Sequence, residues 1–279
     1  MNKIYSVFKK IYWKFPALRP SIEYVHHKIF KPHIKFSGWG MTSQHELPWV
    51  DKYNWDSFRQ SAKDIKKQFE VGSDYRNMSN LDALLWRHWI VSFSLRYAMK
   101  FRSKSINELS LVELGVADGV TAFFALREIE DYKKNNPNIK YAMHLYDSWG
   151  PMREKELLKT ELSWEGKYSD LSFEKTKKNL AEFKNNLFYH KGYIPESLNV
   201  SPIPNSIVYM SIDLNSSVPT LAALNFFYPK FIDGGVILFD DYGWSGLEDI
   251  KEVVDSFFAD KPGILMKLPT NQAIYFFHS

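Results

Sequence analysis

The chain has 279 residues, of which 45% are hydrophobic and 24% are charged, a composition typical of a soluble globular protein with one large domain. It contains no cysteine, which excludes disulfides, thiolate metal sites and cysteine nucleophiles and is typical of a cytoplasmic protein. The net charge of +4 is concentrated at the N-terminus, because residues 1–40 contain eight Lys or Arg and a single acid, Glu23.

The first twenty residues have the pattern of a basic amphipathic helix. Their apolar side chains recur at helical spacing between lysines, and the stretch is too short and too charged to span a membrane. We expect this helix either to lie on the inner face of an anionic membrane, or to pack on the body of the protein or on a partner subunit, which leaves a homo-oligomer open. The basic residues are confined to the terminus and no nucleic-acid motif follows, so a nucleic-acid partner is not expected.

Three regions follow from the pattern along the chain. Residues 1–35 form the basic segment, residues 36–105 a mainly helical cap, and residues 106–279 the main domain. In the cap, an irregular stretch and a polar helix precede a long helix after Ser79 that is apolar on most faces, which predicts a buried helix. His88 in that helix is interpreted as a packed core histidine.

From residue 109 onward, apolar strands alternate with helices, which predicts an α/β fold with a mostly parallel sheet covered on both faces. The strands are expected at 109–115, 141–147, 187–193, 206–213 and 234–241, with helices from Val120, near 195–198, after Pro219 and over 246–262. The last two apolar runs, 264–269 and 272–278, are separated only by Thr-Asn, so they predict an antiparallel hairpin at the sheet edge.

A glycine turn follows the first strand in the stretch VELGVADGVTA. Gly115 and Gly119 would let a ligand approach the backbone where the next helix begins. Their spacing is not the G-x-G-x-x-G that grips a pyrophosphate, and the preceding Glu113 suits a ligand with ammonium or sulfonium charge. The alternative is a tight connection between strand and helix in which glycine serves geometry alone.

Acids follow three further strands. Asp147 ends the second, where the hydroxyls of a nucleotide ribose would lie, although it could instead cap the following turn. Asp213 ends the strand before the helix at Pro219, and Asp240 and Asp241 end the next. These three converge on one sheet edge and predict a divalent cation site. The alternative for Asp240 and Asp241 is that they cap the helix after Ser245.

The stretches VELGVADG, LYDSWG, FYHKGYIPESL, SIDLNSSVPTLAALNFFYPKFIDGGVILFDDYG and LPTNQAIYFF together resemble the macrocin O-methyltransferase family. The resemblance covers residues 109–279. It implies a class I methyltransferase with a Rossmann-like sheet, and a magnesium-assisted transfer of methyl from S-adenosylmethionine to a hydroxyl of a sugar or glycan precursor. Such an activity would belong to polysaccharide biosynthesis, at the inner face of the membrane if the basic helix lies there.

The resemblance also implies roles for individual residues. Asp213 and Asp241 would be catalytic, and together with Asp240 they would hold the magnesium ion. The glycine turn would hold the methionine part of the cofactor and Asp147 its ribose. The residues implied for cofactor binding are Glu113, Leu114, Gly115, Gly119, Thr121, Asp147, Ser148 and Gly192.

One departure from the family pattern concerns the general base. The family usually reads Asp-x-Asp after the fourth strand, whereas this chain has Asp213-Leu214-Asn215, and an amide cannot take a proton from a hydroxyl. A metal could make a weak base or water sufficient to remove the proton from the hydroxyl. Asp241 or a histidine from the cap could act as the base instead, or catalysis could be lost or altered. A scaffold that binds the cofactor without turnover and a nicotinamide-dependent oxidoreductase therefore remain alternatives.

Overall fold

The computed structural model describes residues 47–50, 55–70 and 79–278. The chain divides into two compact units, Met1–Asp51 and Lys52–Ser279. The described part of the first unit contains one turn of 3-10 helix, Pro48–Val50. The basic helix expected in residues 1–20 lies outside the described residues.

The second unit is built on a seven-stranded sheet with the order β3-β2-β1-β4-β5-β7-β6. Its strands are β1 Glu108–Leu114, β2 Lys140–Asp147, β3 Leu187–Lys191, β4 Ile207–Ile212, β5 Phe231–Phe239, β6 Gly263–Lys267 and β7 Ala273–Phe277. β1 to β5 pair in parallel, and β7 runs antiparallel between β5 and β6. The prediction of a mostly parallel sheet with an antiparallel C-terminal hairpin is confirmed.

Helices cover both faces of this sheet. They are α1 Asp56–Gln68, α2 Ser79–Phe101, α3 Val120–Lys134, α4 Phe173–Asn179, α5 Ser217–Phe227 and α6 Glu248–Phe258. Phe276 of β7 lies 4.6 Å from Tyr97 of α2, measured between ring centroids, whereas the next residue, Phe277, belongs to the core beneath α5 and α6. Because successive strand residues point to opposite faces, α2 and the α5–α6 pair lie on opposite sides of the sheet.

The sequence pattern explains where these helices are buried. In α6, Ile250, Val254 and Phe258 are spaced four residues apart, and all three are buried. α2 is apolar on most of its surface because it packs against β4 and β5 on one side and against α1 and α3 on others. No helix in the described part of the chain is long and apolar enough to cross a membrane.

The structure differs from the sequence predictions mainly in the connections. The charged stretch after β2 contains short 3-10 turns at Glu154–Glu156 and Leu162–Trp164 and the helix α4, none of which the periodicity predicts. The helix expected near residues 195–198 is a 3-10 turn, Glu196–Asn199. α1 and α2 belong to the same compact unit as the sheet, so the boundary expected at residue 105 falls inside that unit.

Candidate functional site

Two adjoining cavities open beyond the carboxyl ends of the parallel strands. The loop cavity has a volume of ≈ 240 Å³ and lies beside the loop between β1 and α3. The acid cavity has a volume of ≈ 390 Å³ and lies over the ends of β4 and β5. Six residues line both cavities: Leu84, Gly115, Thr121, Tyr168, Asp213 and Asn215.

Gly115 brings two backbone segments of the site together. Its φ is +84°, and a Cβ at this position would lie 1.8 Å from the carbonyl oxygen of Asp213. Only glycine allows the loop after β1 to approach the end of β4 this closely.

Gly119, which the resemblance implies for cofactor binding, lies at the start of α3. It caps the N-terminus of α3 with a φ of +85°, and a Cβ there would lie 3.0 Å from the side chain of Leu180. It lies outside the walls of both cavities. The backbone conformation and the packing against Leu180 therefore account for this glycine.

Asp147 lines the loop cavity, but its carboxylate is already engaged by the protein. Oδ2 accepts hydrogen bonds from the amides of Val116 (2.7 Å) and Ala117 (2.8 Å), and Oδ1 accepts one from the amide of Trp149 (2.6 Å). Burial raises its pKa, and these amides oppose that rise. The amide of Ser148 also lowers this pKa, so the protein's own amides take up most of the about four acceptor positions of the carboxylate. The Trp149 bond is the turn cap that the sequence left open as an alternative.

The remaining residues implied for the cofactor are divided between the cavity wall and the interior. Thr121 and Ser148 line the loop cavity, whereas Glu113, Leu114 and Gly192 lie outside the walls of both cavities. Glu113 is buried on the sheet, and burial raises its pKa well above the ordinary range, although the amide of Ala122 opposes this. Burial therefore favours the neutral form of Glu113, which would not attract a sulfonium.

The three acids expected at the strand ends lie together in the acid cavity. One carboxylate oxygen from each of Asp213, Asp240 and Asp241 lies within 4.8 Å of the others. Loss of solvent and the neighbouring carboxylates raise the pKa of Asp213 well above its ordinary value, and the same causes raise the pKa of Asp241. Carboxylate oxygens are the ligands that hard divalent cations such as Mg²⁺ take, so this group could hold such an ion.

Arg87 of α2 pairs with the third acid and fixes it. Its guanidinium forms a salt bridge with Asp240 and donates to the carbonyls of Asp240 (2.8 Å) and Thr270 (2.6 Å). Gln272, the residue before β7, donates from Nε2 to Asp240 Oδ1 at 2.8 Å. An arginine inside an apolar helix is a sequence signal for a buried acidic partner, although it does not identify the partner.

Asn215 connects the other two acids. Its backbone amide donates to Asp241 Oδ2 (3.0 Å), and its Nδ2 donates to Asp213 Oδ1 (3.1 Å). Its Oδ1 accepts a hydrogen bond from the hydroxyl of Tyr168 (3.1 Å). Asn215 has a φ of 52°, a left-handed conformation that asparagine tolerates better than most residues.

Aromatic side chains form part of the wall of the acid cavity. Trp164, Tyr168 and Trp244 all line it, and Trp244 is 45% exposed. The guanidinium of Arg87 lies 5.4 Å from the centre of the Trp244 ring. No motif in the sequence indicates these residues, because Trp164 and Tyr168 come from the irregular connection after β2.

His88 is a packed histidine, as the sequence predicts, and it also contributes to the acid cavity. It is 4% exposed and stacks on Phe124 with ring centroids 4.8 Å apart. Burial, with the charge of Arg87 as a smaller cause, lowers its pKa to about 3, so its ring is neutral near pH 7.

Glu161 anchors the connection that carries Trp164 and Tyr168. Its Oε1 accepts a hydrogen bond from the amide of Ser217 (2.8 Å), and its Oε2 accepts from the hydroxyl of Ser216 (2.9 Å). These residues form the start of α5, where a carboxylate is stabilised by free amides and the helix dipole. The wall of the cavity is thus attached to the helix that follows Asp213 and Asn215.

Comparisons with known proteins support the fold at low sequence identity. The O-methyltransferase NovP aligns with a TM-score of 0.59 and 17% identity over 70% of this chain and 81% of its own. The calicheamicin methyltransferase CalS11 aligns with a TM-score of 0.55 and 14% identity over 88% of this chain and 100% of its own. No family model and no curated protein matches the sequence. With the antiparallel β7, these likenesses confirm the expected class I methyltransferase fold.

Proposed function

We propose that the protein is an S-adenosylmethionine-dependent methyltransferase that methylates a hydroxyl of a sugar or glycan precursor. The observation that supports this most is the junction of the two cavities at Gly115 and Asp213. A cofactor beside the glycine loop would meet an acceptor over the three acids there. Substrate alignment at such a junction is the main contribution an enzyme makes when the methyl group is already activated.

The cofactor would lie in the loop cavity. The glycine loop would contact its methionine part, and Asp147, which lines the same cavity, would lie against its ribose. Thr121 and Ser148 line the same wall. The other residues implied for the cofactor would support this wall from outside the cavity. They are Glu113, Leu114, Gly119 and Gly192.

Mg²⁺ would be held by Asp213, Asp240 and Asp241. The fit is good for Asp213 and Asp241, because their raised pKa values reflect a site that gains from a cation. It is less good for Asp240, which Arg87 already neutralises in part. When bound, the ion would lower the pKa of the acceptor hydroxyl, and the sulfonium of the cofactor would supply the methyl group.

The side chains around the acids suit a carbohydrate acceptor. Trp244 is half-exposed and Trp164 lies in the same cavity wall, and aromatic faces of this kind pack against the C–H face of a sugar ring. The carboxylates would receive the hydrogen bonds of the sugar hydroxyls. Asp241 or Asp213 would take the hydroxyl proton, because their carboxylates lie beside the position of the acceptor.

Cofactor binding and transfer test the proposal separately. We expect S-adenosylhomocysteine, and not a nicotinamide cofactor, to raise the melting temperature, and radioactive methyl to pass from S-adenosylmethionine to some member of a panel of sugar nucleotides and glycan precursors. Stabilisation by the nicotinamide cofactor alone would favour the oxidoreductase. Binding of S-adenosylhomocysteine without transfer to any acceptor would favour the scaffold.

The metal has its own measurement. We expect Mg²⁺ or Mn²⁺ to raise the melting temperature, and Asp240→Asn to remove that increase. Asp260→Asn changes an exposed acid outside the acid cavity and is the matched control. A melting temperature that the ions leave unchanged would make the acids a structural cluster.

We also propose that residues 1–20 contact an anionic membrane from the cytoplasmic side. This rests on their basic amphipathic pattern. Deleting them should abolish sedimentation with anionic liposomes and leave affinity for S-adenosylhomocysteine unchanged. Aggregation of the shortened protein would instead indicate packing on its own body or on a second copy.

A further inference from the structure

The position that departs from the family pattern has all of its side-chain polar atoms engaged. Asn215 is 9% exposed, its Nδ2 donates to Asp213 at 3.1 Å, and its Oδ1 accepts from Tyr168 at 3.1 Å. Both contacts match a donor to an acceptor, because Nδ2 faces the carboxylate of Asp213 and Oδ1 faces the hydroxyl of Tyr168. A residue bonded in this way is held in a single rotamer.

An aspartate at the same position would make a poorer set of contacts. It could still accept from Tyr168, but it would place a second carboxylate about 3 Å from Asp213 where an N–H donor now lies. Asp240 and Asp241 already lie within 4.8 Å. The side-chain and backbone amides of Asn215 thus give each of Asp213 and Asp241 a donor inside a crowded group of carboxylates.

We propose that Asn215, held by the hydroxyl of Tyr168, is a positioning residue that fixes the carboxylates of Asp213 and Asp241 toward a divalent cation. It fixes Asp213 through its side chain and Asp241 through its backbone amide. Tyr168 would act through Asn215, whose Oδ1 accepts its hydrogen bond. The inference rests on the metal part of the proposed function, and it assigns Asn215 a role other than that of a missing base.

The test uses Mn²⁺ affinity of the full-length protein, measured by electron paramagnetic resonance without cofactor or acceptor. Asn215→Gly removes the side chain, keeps the amide that donates to Asp241, and tolerates the left-handed φ of 52°. We expect it to weaken Mn²⁺ binding about 10- to 150-fold, the usual effect of losing a hydrogen bond to a charged group. Tyr168→Phe should weaken binding less. The double variant should bind no more weakly than Asn215→Gly, because the two residues act in series.

A second measurement separates positioning from proton transfer. Asn215→Asp should not raise the turnover number for methyl transfer above that of the natural chain, and in EDTA it should melt at a lower temperature because the acids repel. A higher turnover number would overturn the inference, as would unchanged Mn²⁺ affinity in Asn215→Gly or additive losses in the double variant. If the natural chain binds no Mn²⁺, the inference and the proposed metal fail together, whereas unchanged affinity in Asn215→Gly overturns the inference alone.

Discussion

The α carbon of Gly115 lies against the carbonyl group of Asp213, so that a Cβ on the glycine would overlap the carbonyl oxygen at 1.8 Å. Both atoms belong to the backbone, and no side-chain rotation can relieve the overlap. This contact holds the ends of β1 and β4 together and forms the boundary between the two cavities.

Gly115→Ala should therefore lower the free energy of unfolding by more than about 3 kcal/mol, because the two strand ends must separate. Gly166→Ala is the matched control. Gly166 also has a positive φ, +76°, but a Cβ there would have no neighbour within 4 Å, so we expect a loss of about 1 kcal/mol. Urea denaturation of the two variants measures the difference, and equal losses would contradict the contact.

Asp147→Asn should weaken binding of S-adenosylhomocysteine by about 1–3 kcal/mol. The amide group offers an acceptor on one side only, so either the Val116 and Ala117 amides or the Trp149 amide loses its partner. Isothermal calorimetry measures the affinity. Asp131→Asn, on the half-exposed side of α3, is the control and should bind normally. Normal binding by both variants would remove Asp147 from the site.

Glu161→Gln should reduce the free energy of unfolding by about 1–3 kcal/mol. The NH₂ group of the glutamine side chain would face either the hydroxyl of Ser216 or the amide of Ser217, both of which now donate to Glu161. Because Trp164 and Tyr168 lie on the same connection, the KM for the acceptor should rise more than the turnover number falls. Glu165→Gln changes an exposed acid on that connection and should have no effect on either quantity. A stable variant with an unchanged KM would show that Glu161 does not position this wall.

The paired histidines of β2 and β3 should make stability depend on pH. His144 Nδ1 lies 3.0 Å from His190 Nε2, and burial lowers the pKa of His144 to about 4. Below about pH 6.5 His144 is protonated in the unfolded chain but stays neutral in the folded chain. The contribution of this pair to the free energy of unfolding therefore falls as the pH decreases toward 4. Buried acids such as Glu113 have raised pKa values and act in the opposite direction, so the informative quantity is a difference between proteins.

The comparison is between the natural chain and His144→Gln. The advantage of the natural chain in unfolding free energy should shrink by about 2 kcal/mol between pH 7.5 and pH 5. His278→Gln alters an exposed histidine and should show no such change. An advantage that stays constant between these pH values would mean that His144 is readily protonated in the folded state.

The sequence predicts the sheet and the position of the site well because both depend on regular features. Apolar runs and short turns predict the strands and the hairpin. Strand ends in a parallel sheet meet at one edge, which is why Asp213, Asp240 and Asp241 could be expected together.

The details of individual side chains depend on contacts that have no period in the sequence. The cofactor role of Glu113 is inferred from its place beside the glycine turn, but Leu114 points to the core under α5 and α6, so Glu113 points to the opposite face. The partner of Asn215, Tyr168, is 47 residues away on an irregular connection. Neither Arg87 nor Tyr168 could be assigned to the acids without the tertiary structure.

The position of β7 between β5 and β6 has a consequence for the order of events during synthesis. β6 leaves the ribosome before β7, yet among the described strands its one partner is β7, so this pairing waits until the later strand has emerged. The turn before β7 also supplies the Thr270 carbonyl and the Gln272 amide that hold Arg87 and Asp240. The acid cavity is thus completed by a segment that is translated after β1 to β5, and a nascent chain that contains those five strands alone would still lack a finished site.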